Sequence, residues 1–110
     1  MLTGVGGNFC LGGDVHGILK PLTKMTLPEL QEFTWMTDDF VKAMRGCPRL
    51  IVVAINGICA GAGAMMVLTC DLWVGTAQAR IALLFNRVGL AGADMGACAL
   101  LRRMIYRGQA

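Results

Sequence analysis

The stretch from Asn56 to Asp71, NGICAGAGAMMVLTCD, constrains the fold more than any other part of the chain. It follows an unbroken apolar run from Leu50 to Ile55, sets Gly57, Gly61 and Gly63 among alanines, and then turns apolar at helical spacing. The pattern predicts a buried strand that gives way to a helix at the glycines. The first turn of such a helix leaves backbone N–H groups unpaired, and small residues beside it let another molecule's polar atom reach the main chain. These are the physical requirements of an anion or oxyanion site.

A chain of 110 residues allows one domain, able to bury roughly two thirds of the surface its unfolded form exposes. Hydrophobic residues make up 55% of it and charged residues 15%. That balance implies apolar surface left for further sequence or a partner chain to cover. The net charge is +3, with Arg80, Arg87, Arg102, Arg103 and Arg107 gathered toward the C-terminus. Stacking aromatics do not interleave with these basic residues as a nucleic-acid surface would need, so no nucleic-acid partner is expected. Cys10, Cys47, Cys59, Cys70 and Cys98 are odd in number and form no CxxC pair. They read as reduced, mostly buried thiols in a cytosol-like compartment, and no metal site is expected. Leu50 to Cys70 runs 21 residues without a charge, long enough to span a bilayer, but Asn56-Gly57 and the later glycines favour turns over one continuous helix.

In chain order, Met1 to Thr3 reads as the end of a strand, followed by a loop carrying Gly4, Gly6, Gly7, Gly12 and Gly13. Asp14 is placed to cap a short helix from Val15, with His16 in its first turn. No nucleophile or carboxylate is positioned by sequence to make His16 catalytic. Thr26 to Cys47 reads as a helix: Thr26 and Glu29 have capping-box spacing, and Leu30, Phe33, Met36, Phe40, Val41 and Met44 define a face expected to be buried. Arg49 to Ile55 reads as a strand covered on both faces, Asp71 to Val74 as another, and Ile81 to Phe85 as a third apolar segment. Asp94 is placed to cap a last helix through Met95 to Ile105. Helix, buried strand, glycine turn and helix in succession argue for a layered α/β fold.

Two familiar glycine motifs fail. A dinucleotide fingerprint needs a third glycine where Met66 stands and an acidic residue near Arg80. A phosphate-binding P-loop needs a lysine, and none follows Lys42.

The two glycine loops together are more informative. Phe9-Cys10-Leu11-Gly12-Gly13-Asp14, followed by a buried strand, Asn56-Gly57, Gly61-Ala62-Gly63, a helix and Cys70-Asp71, closely resembles the crotonase (enoyl-CoA hydratase/isomerase) superfamily. Val88-Gly89-Leu90-Ala91-Gly92-Ala93-Asp94-Met95-Gly96 also looks like a segment of that family, and the resemblance covers essentially the whole chain. It implies a crotonase-like spiral of ββα units, with residues 1–110 forming the central part of a single domain truncated at both ends. It also implies a coenzyme A thioester as ligand, with CoA carried by the substrate rather than held as a separate cofactor. Carried over residue by residue, the backbone N–H groups of Gly13 and Ala62 would hold the thioester oxygen as it becomes an enolate. Cys10, Leu11, Gly12, Asp14, Gly57, Cys59 and Gly61 would border the CoA adenine and pantetheine. A full-length member would form a homotrimer or hexamer, in the cytoplasm or, in a eukaryote, the mitochondrial matrix.

The sequence also departs from the family pattern. Hydratases that it resembles carry two glutamates for hydration, and those positions hold Met65 and Phe85 here, neither able to transfer a proton. Asp94, in a segment similar to one that carries a catalytic aspartate in dienoyl-CoA isomerases, is the remaining acid/base candidate; a helix cap is its other reading. The usual L-P-R-x-x-G stands as Leu101-Arg102-Arg103-Met104-Ile105-Tyr106. Two functions therefore compete: an acyl-CoA enzyme that stabilises a thioester enolate, and a non-catalytic CoA-thioester binding or oligomer-interface module.

Overall fold

The structure, a computed structural model, describes residues 1–91 and 94–105, Asp94 by its backbone alone. Strand β1 (Leu2–Thr3) leads through the glycine loop to a π-helical turn (Val15–Leu19) that runs into α1 (Lys20–Leu22). Then come α2 (Leu27–Arg45), β2 (Val52–Ile55), β3 (Ile58–Ala60), α3 (Ala62–Thr69), β4 (Leu72–Gly75) and β5 (Arg80–Ala82). Short 3-10 turns at Phe85–Val88 and Asp94–Gly96 precede α4 (Ala97–Met104).

All strand pairs are parallel, and they form two sheets. β2 is the centre of the first, with Leu2 opposite Val53 on one side and Val52 opposite Leu72 on the other. β3 and β5 form the second, in the register Cys59 to Ile81, and Cys10 adds one bridge to Cys59. The Asn56-Gly57 turn moves the chain from one sheet to the other, and β4 and β5 repeat the manoeuvre. The ββα repeat implied by the sequence is thus present, with one correction. The chain does not pass directly from the apolar strand into a helix; β3 intervenes, because the amides of Ile58 and Ala60 find partners on the first glycine loop.

Helix α3 is the hub, with six of its eight residues buried. One cluster packs Val53 and Ile55 of β2 and Cys59 of β3 against Ala64, Val67 and Cys70. A second, on the other side of α3, joins Met65 and Leu68 to Phe85, Met95 and Ala97. Burying a large apolar side chain contributes about 1.5–3 kcal/mol, so these two clusters carry most of the stabilisation. The Cys70-Asp71 corner is tied down by a reciprocal pair. The Ile51 N–H donates to Asp71 Oδ2 at 2.8 Å, and the Asp71 N–H donates to the Ile51 carbonyl at 2.9 Å.

Four other expectations need correction. Helix α2 has the anticipated Thr26/Glu29 box, with the Thr26 N–H and hydroxyl both donating to Glu29 Oε2 at 2.7 Å, but it buries no residue. Val41 and Met44 pack toward α3, whereas Trp35, Met36 and Phe40 are exposed, because the main contacts of α2 are with α3 and the Asp94–Gly96 turn. The continuous apolar run of β2 does not mean two covered faces: Val53 and Ile55 are buried while Val52 and Ala54 are half-buried. The last helix is capped by Gly96, not Asp94, because Met95 and Gly96 both take positive φ and delay helix entry to Ala97. Of the five thiols, Cys59 and Cys70 are buried, Cys10 is half-buried, and Cys47 and Cys98 are exposed, since the last two sit outside the α3 clusters. Among the described residues no helix is long and apolar enough to cross a membrane; the uncharged stretch is divided among β2, β3 and α3.

Candidate active site

The two glycine loops lie side by side because polar groups stitch them together. Asn56 Nδ2 donates to the carbonyls of Gly4 at 3.1 Å and Gly6 at 2.8 Å. The Ile58 N–H donates to Asn8 Oδ1 at 3.2 Å, and the Ile58 carbonyl accepts from Phe9 and Cys10. The Cys10 carbonyl in turn accepts from the Ala60 N–H at 2.8 Å. Gly12 then takes φ +97°, where an added Cβ would stand 3.2 Å from the Ala60 carbonyl and 3.6 Å from the Ala62 nitrogen. Only glycine meets both demands without strain.

Two backbone donors are left over at this junction. Ala62 is the first residue of α3, so its N–H has no intrahelical acceptor. Neither it nor the Gly13 N–H has a hydrogen-bond partner among the described residues. Alanine at position 62 is unstrained, since Met95 is the only described non-glycine residue with positive φ. The partial positive charge of a helix N-terminus adds to the pull on an oxyanion.

Both loops open onto one cavity of about 290 Å³. Leu11, Gly12 and Gly13 form one rim and Ala60, Gly61 and Ala62 the other. The walls come from the π-helical turn (Val15, Ile18), from α2 (Phe33, Met36, Thr37) and from the segment around Phe85, Val88 and Leu90. Among the described lining residues none is titratable, and Thr37 supplies the one polar side chain.

The predicted site residues divide accordingly. Gly13, Ala62, Leu11, Gly12 and Gly61 meet at the cavity, while Cys10, Asp14, Gly57 and Cys59 do not line it. Asp14 is exposed and its Oδ1 accepts from the His16 N–H at 2.9 Å, a local helix cap. Cys59 has no accessible surface, so it holds β3 in place rather than touching a ligand; burial, with Cys10 nearby, pushes its thiol up to about 11. Asp94 opens the turn before Met95, whose side chain lines the cavity, but the Asp94 side chain lies outside the described residues. Met65 is wholly buried and away from the cavity, and Phe85 forms part of its wall. Among the described residues no three His, Cys, Asp or Glu side chains gather as metal ligands. Sequence reasoning missed the α2 and π-turn walls. The apolar spacing of Val15, Ile18 and Leu19, and of Phe33 and Met36, was the available signal.

The chain and its fold have relatives among known proteins. The family model described as "Enoyl-CoA hydratase/isomerase" matches residues 1–110. The chain is 31% identical to 1,2-epoxyphenylacetyl-CoA isomerase of Escherichia coli (strain K12), over 100% of its own length and 42% of that protein. Among solved structures, a candidate enoyl-CoA hydratase from Streptomyces coelicolor A3(2) superposes with a TM-score of 0.91 at 43% identity, covering 94% of this chain and 38% of that one. An enoyl-CoA hydratase from Polaromonas sp. JS666 gives a TM-score of 0.83 at 30% identity, covering 97% and 41%. The chain therefore spans about two fifths of the length of the relatives it matches.

Proposed function

We propose, starting from the fact that this chain belongs to the enoyl-CoA hydratase/isomerase family, that it contributes the thioester-activating part of an acyl-CoA site. On this reading it is the central part of a single domain that assembles as a trimer or hexamer. The observation that carries the reading is the pair of unpartnered amides, Gly13 and Ala62, on the rim of one apolar cavity. Two fixed donors facing a thioester oxygen are worth most when that oxygen gains charge, so they favour the enolate over the ground-state carbonyl. Removing one such donor costs about 2.7–4 kcal/mol, or roughly 10²- to 10³-fold in rate. Leu11, Gly12 and Gly61 border the thioester and pantetheine, and Asp94 moves the α-proton. Met65 and Phe85 weigh against hydration by paired glutamates, because Met65 is sealed in the core and Phe85 is apolar.

A second reading is favoured by the absence of any titratable side chain among the described lining residues: a site that binds CoA thioesters without turning them over. Exchange of the thioester α-protons in heavy water separates the two, since it needs only enolate formation and a base. Ala62→Pro removes one donor at the helix position where proline is tolerated. Exchange should fall about 10²- to 10³-fold with the unfolding midpoint preserved, and unchanged exchange would exclude Ala62 as an oxyanion donor. Exchange that survives Asp94→Asn would remove that aspartate from the mechanism. Crotonyl-, 3-enoyl- and dienoyl-CoA, followed by ultraviolet absorbance, then identify the reaction.

A further inference from the structure

We infer that Cys10 and Cys59 form a redox-modification site, at which hydrogen peroxide converts the two thiols into a reversible disulfide that ties the two glycine loops together. This needs no ligand in the cavity and stands apart from the acyl-CoA reading. Three observations carry it.

The first is register. Cys10 and Cys59 stand directly opposite one another in a parallel bridge. The Cys10 N–H donates to the Ile58 carbonyl at 3.2 Å and the Cys10 carbonyl accepts from the Ala60 N–H at 2.8 Å, so the bridge is held on both sides of Cys59. Paired strands run about 4.7–4.9 Å apart, inside the span of roughly 4.4–6.8 Å between Cα atoms that a disulfide accepts.

The second is direction. Residues paired across a ladder send their side chains to the same face. A Cβ added at Gly63 would stand 2.7 Å from Cys10 Cβ and 2.9 Å from Cys10 Sγ, so the Cys10 thiol lies against the first turn of α3. Cys59 packs in one cluster with Ala64, the next residue of that helix. Burial first, and the neighbouring Cys10 second, push the Cys59 thiol up, as two adjacent sulfurs require.

The third is access. Cys59 has no exposed surface, whereas Cys10 is half-buried. Cys10 therefore meets the oxidant and Cys59 resolves the product. The Cys10 sulfur attacks one peroxide oxygen, the O–O bond breaks, and the departing hydroxide takes up the thiol proton, leaving Cys10 sulfenic acid and one water. The Cys59 sulfur then attacks the Cys10 sulfur, the S–O bond breaks, and the Cys59 proton leaves with the hydroxide as a second water. The two sulfurs together lose two electrons and the peroxide gains them. Cys10 precedes Gly13 by three residues and Cys59 precedes Ala62 by three. The new bond thus clips together the backs of the two loops that carry the unpartnered amides, and it closes a loop of about fifty residues in the unfolded chain.

The experiment is peroxide treatment of the reduced chain near neutral pH, alkylation of the remaining thiols in urea, and peptide mapping without reductant. A linked Cys10–Cys59 peptide should be the main product and should disappear on addition of dithiothreitol. The oxidised chain should unfold at a urea midpoint higher by roughly 1 M or more. In Cys59→Ala the sulfenic acid has no resolving thiol, so dimedone should trap Cys10 at least about fivefold more than in wild type. Cys10 that stays unreacted, Cys10 driven to sulfinic acid while Cys59 remains alkylatable, Cys10 linked mainly to Cys47 or Cys98, or a midpoint that does not rise overturns the inference.

Discussion

Met65 of α3 and Phe85 of the following 3-10 turn belong to one core cluster, with 0% and 4% of their surfaces exposed. Both positions, where the resemblance to hydratases implies glutamates, are occupied here by packing residues. Met65→Ala should lower the unfolding free energy by about 2–5 kcal/mol, through lost contacts and the cavity left behind. Met65→Glu should cost at least as much, and its penalty should grow with pH. A buried carboxyl has a raised folded pKa, so the folded state holds the proton while the unfolded one releases it, and stability falls as pH rises above the unfolded value of about 4.3. Urea titrations at pH 4 and pH 7 measure both effects.

Gly63 stands where a Cβ would come within 2.7 Å of Cys10 Cβ and 2.8 Å of the Cys10 carbonyl oxygen. Gly63→Ala should therefore push the first loop off α3, destabilising the fold by about 1–3 kcal/mol and weakening acyl-CoA binding. Cys10→Ala should not rescue it, because the carbonyl clash is with backbone. Denaturation of the single and double variants checks this.

Asn56 holds Gly4 and Gly6 through its side-chain amide, while its buried Oδ1 has no partner among the described residues. Asn56→Ala should cost about 1–3 kcal/mol by leaving the two carbonyls unpaired. Hydrogen exchange should show faster opening at Phe9 and Cys10 than in helix α2.

The Glu29 carboxyl is held below its usual pKa by the Thr26 N–H and then by the Thr26 hydroxyl. Its folded pKa is depressed, so its contribution is fully present above the unfolded value and is lost as pH falls through the lower, folded one. Thermal midpoints of wild type and Glu29→Gln should differ at pH 6 and draw together as the pH falls below the ordinary carboxylate range.

Cys59 is sealed in the core and its thiol is pushed up to about 11, whereas Cys47 is exposed. An aromatic disulfide reagent at pH 8 should label Cys47 promptly and Cys59 only after unfolding in urea. Equal native rates at the two, read by peptide mapping, would contradict this placement of β3.

The residues that announced the fold were those with a single physical use: glycines that tolerate close approach, the Thr26/Glu29 box, and the apolar runs of β2 and α3. Strand β3 was harder to see because three residues, Ile58 to Ala60, carry no periodic signal, and its partners are β5, about twenty residues on, and the first glycine loop, about fifty residues upstream. The exposure of α2 was illegible for a similar reason. Its apolar stripe is the same whether a core, a ligand or another chain covers it. At the site, the rim could be read from Gly12-Gly13 and Gly61-Ala62, but the walls come from elements whose relative placement only tertiary structure sets.

The stitching of Asn56 and Ile58 to the first glycine loop has a further consequence for how the chain acquires its site. Gly13 and Ala62 are about fifty residues apart in sequence, and closing a loop of that length costs roughly 3–4 kcal/mol of chain entropy before any contact repays it. Helices α2 and α3 can form from local contacts, but the pair of amides exists only after this non-local closure. A half-folded chain is therefore blind to ligand. Any molecule that bridges the two loops draws the folding equilibrium toward the native topology in proportion to its concentration, so a substrate would act on this chain as a folding template as well as a reactant.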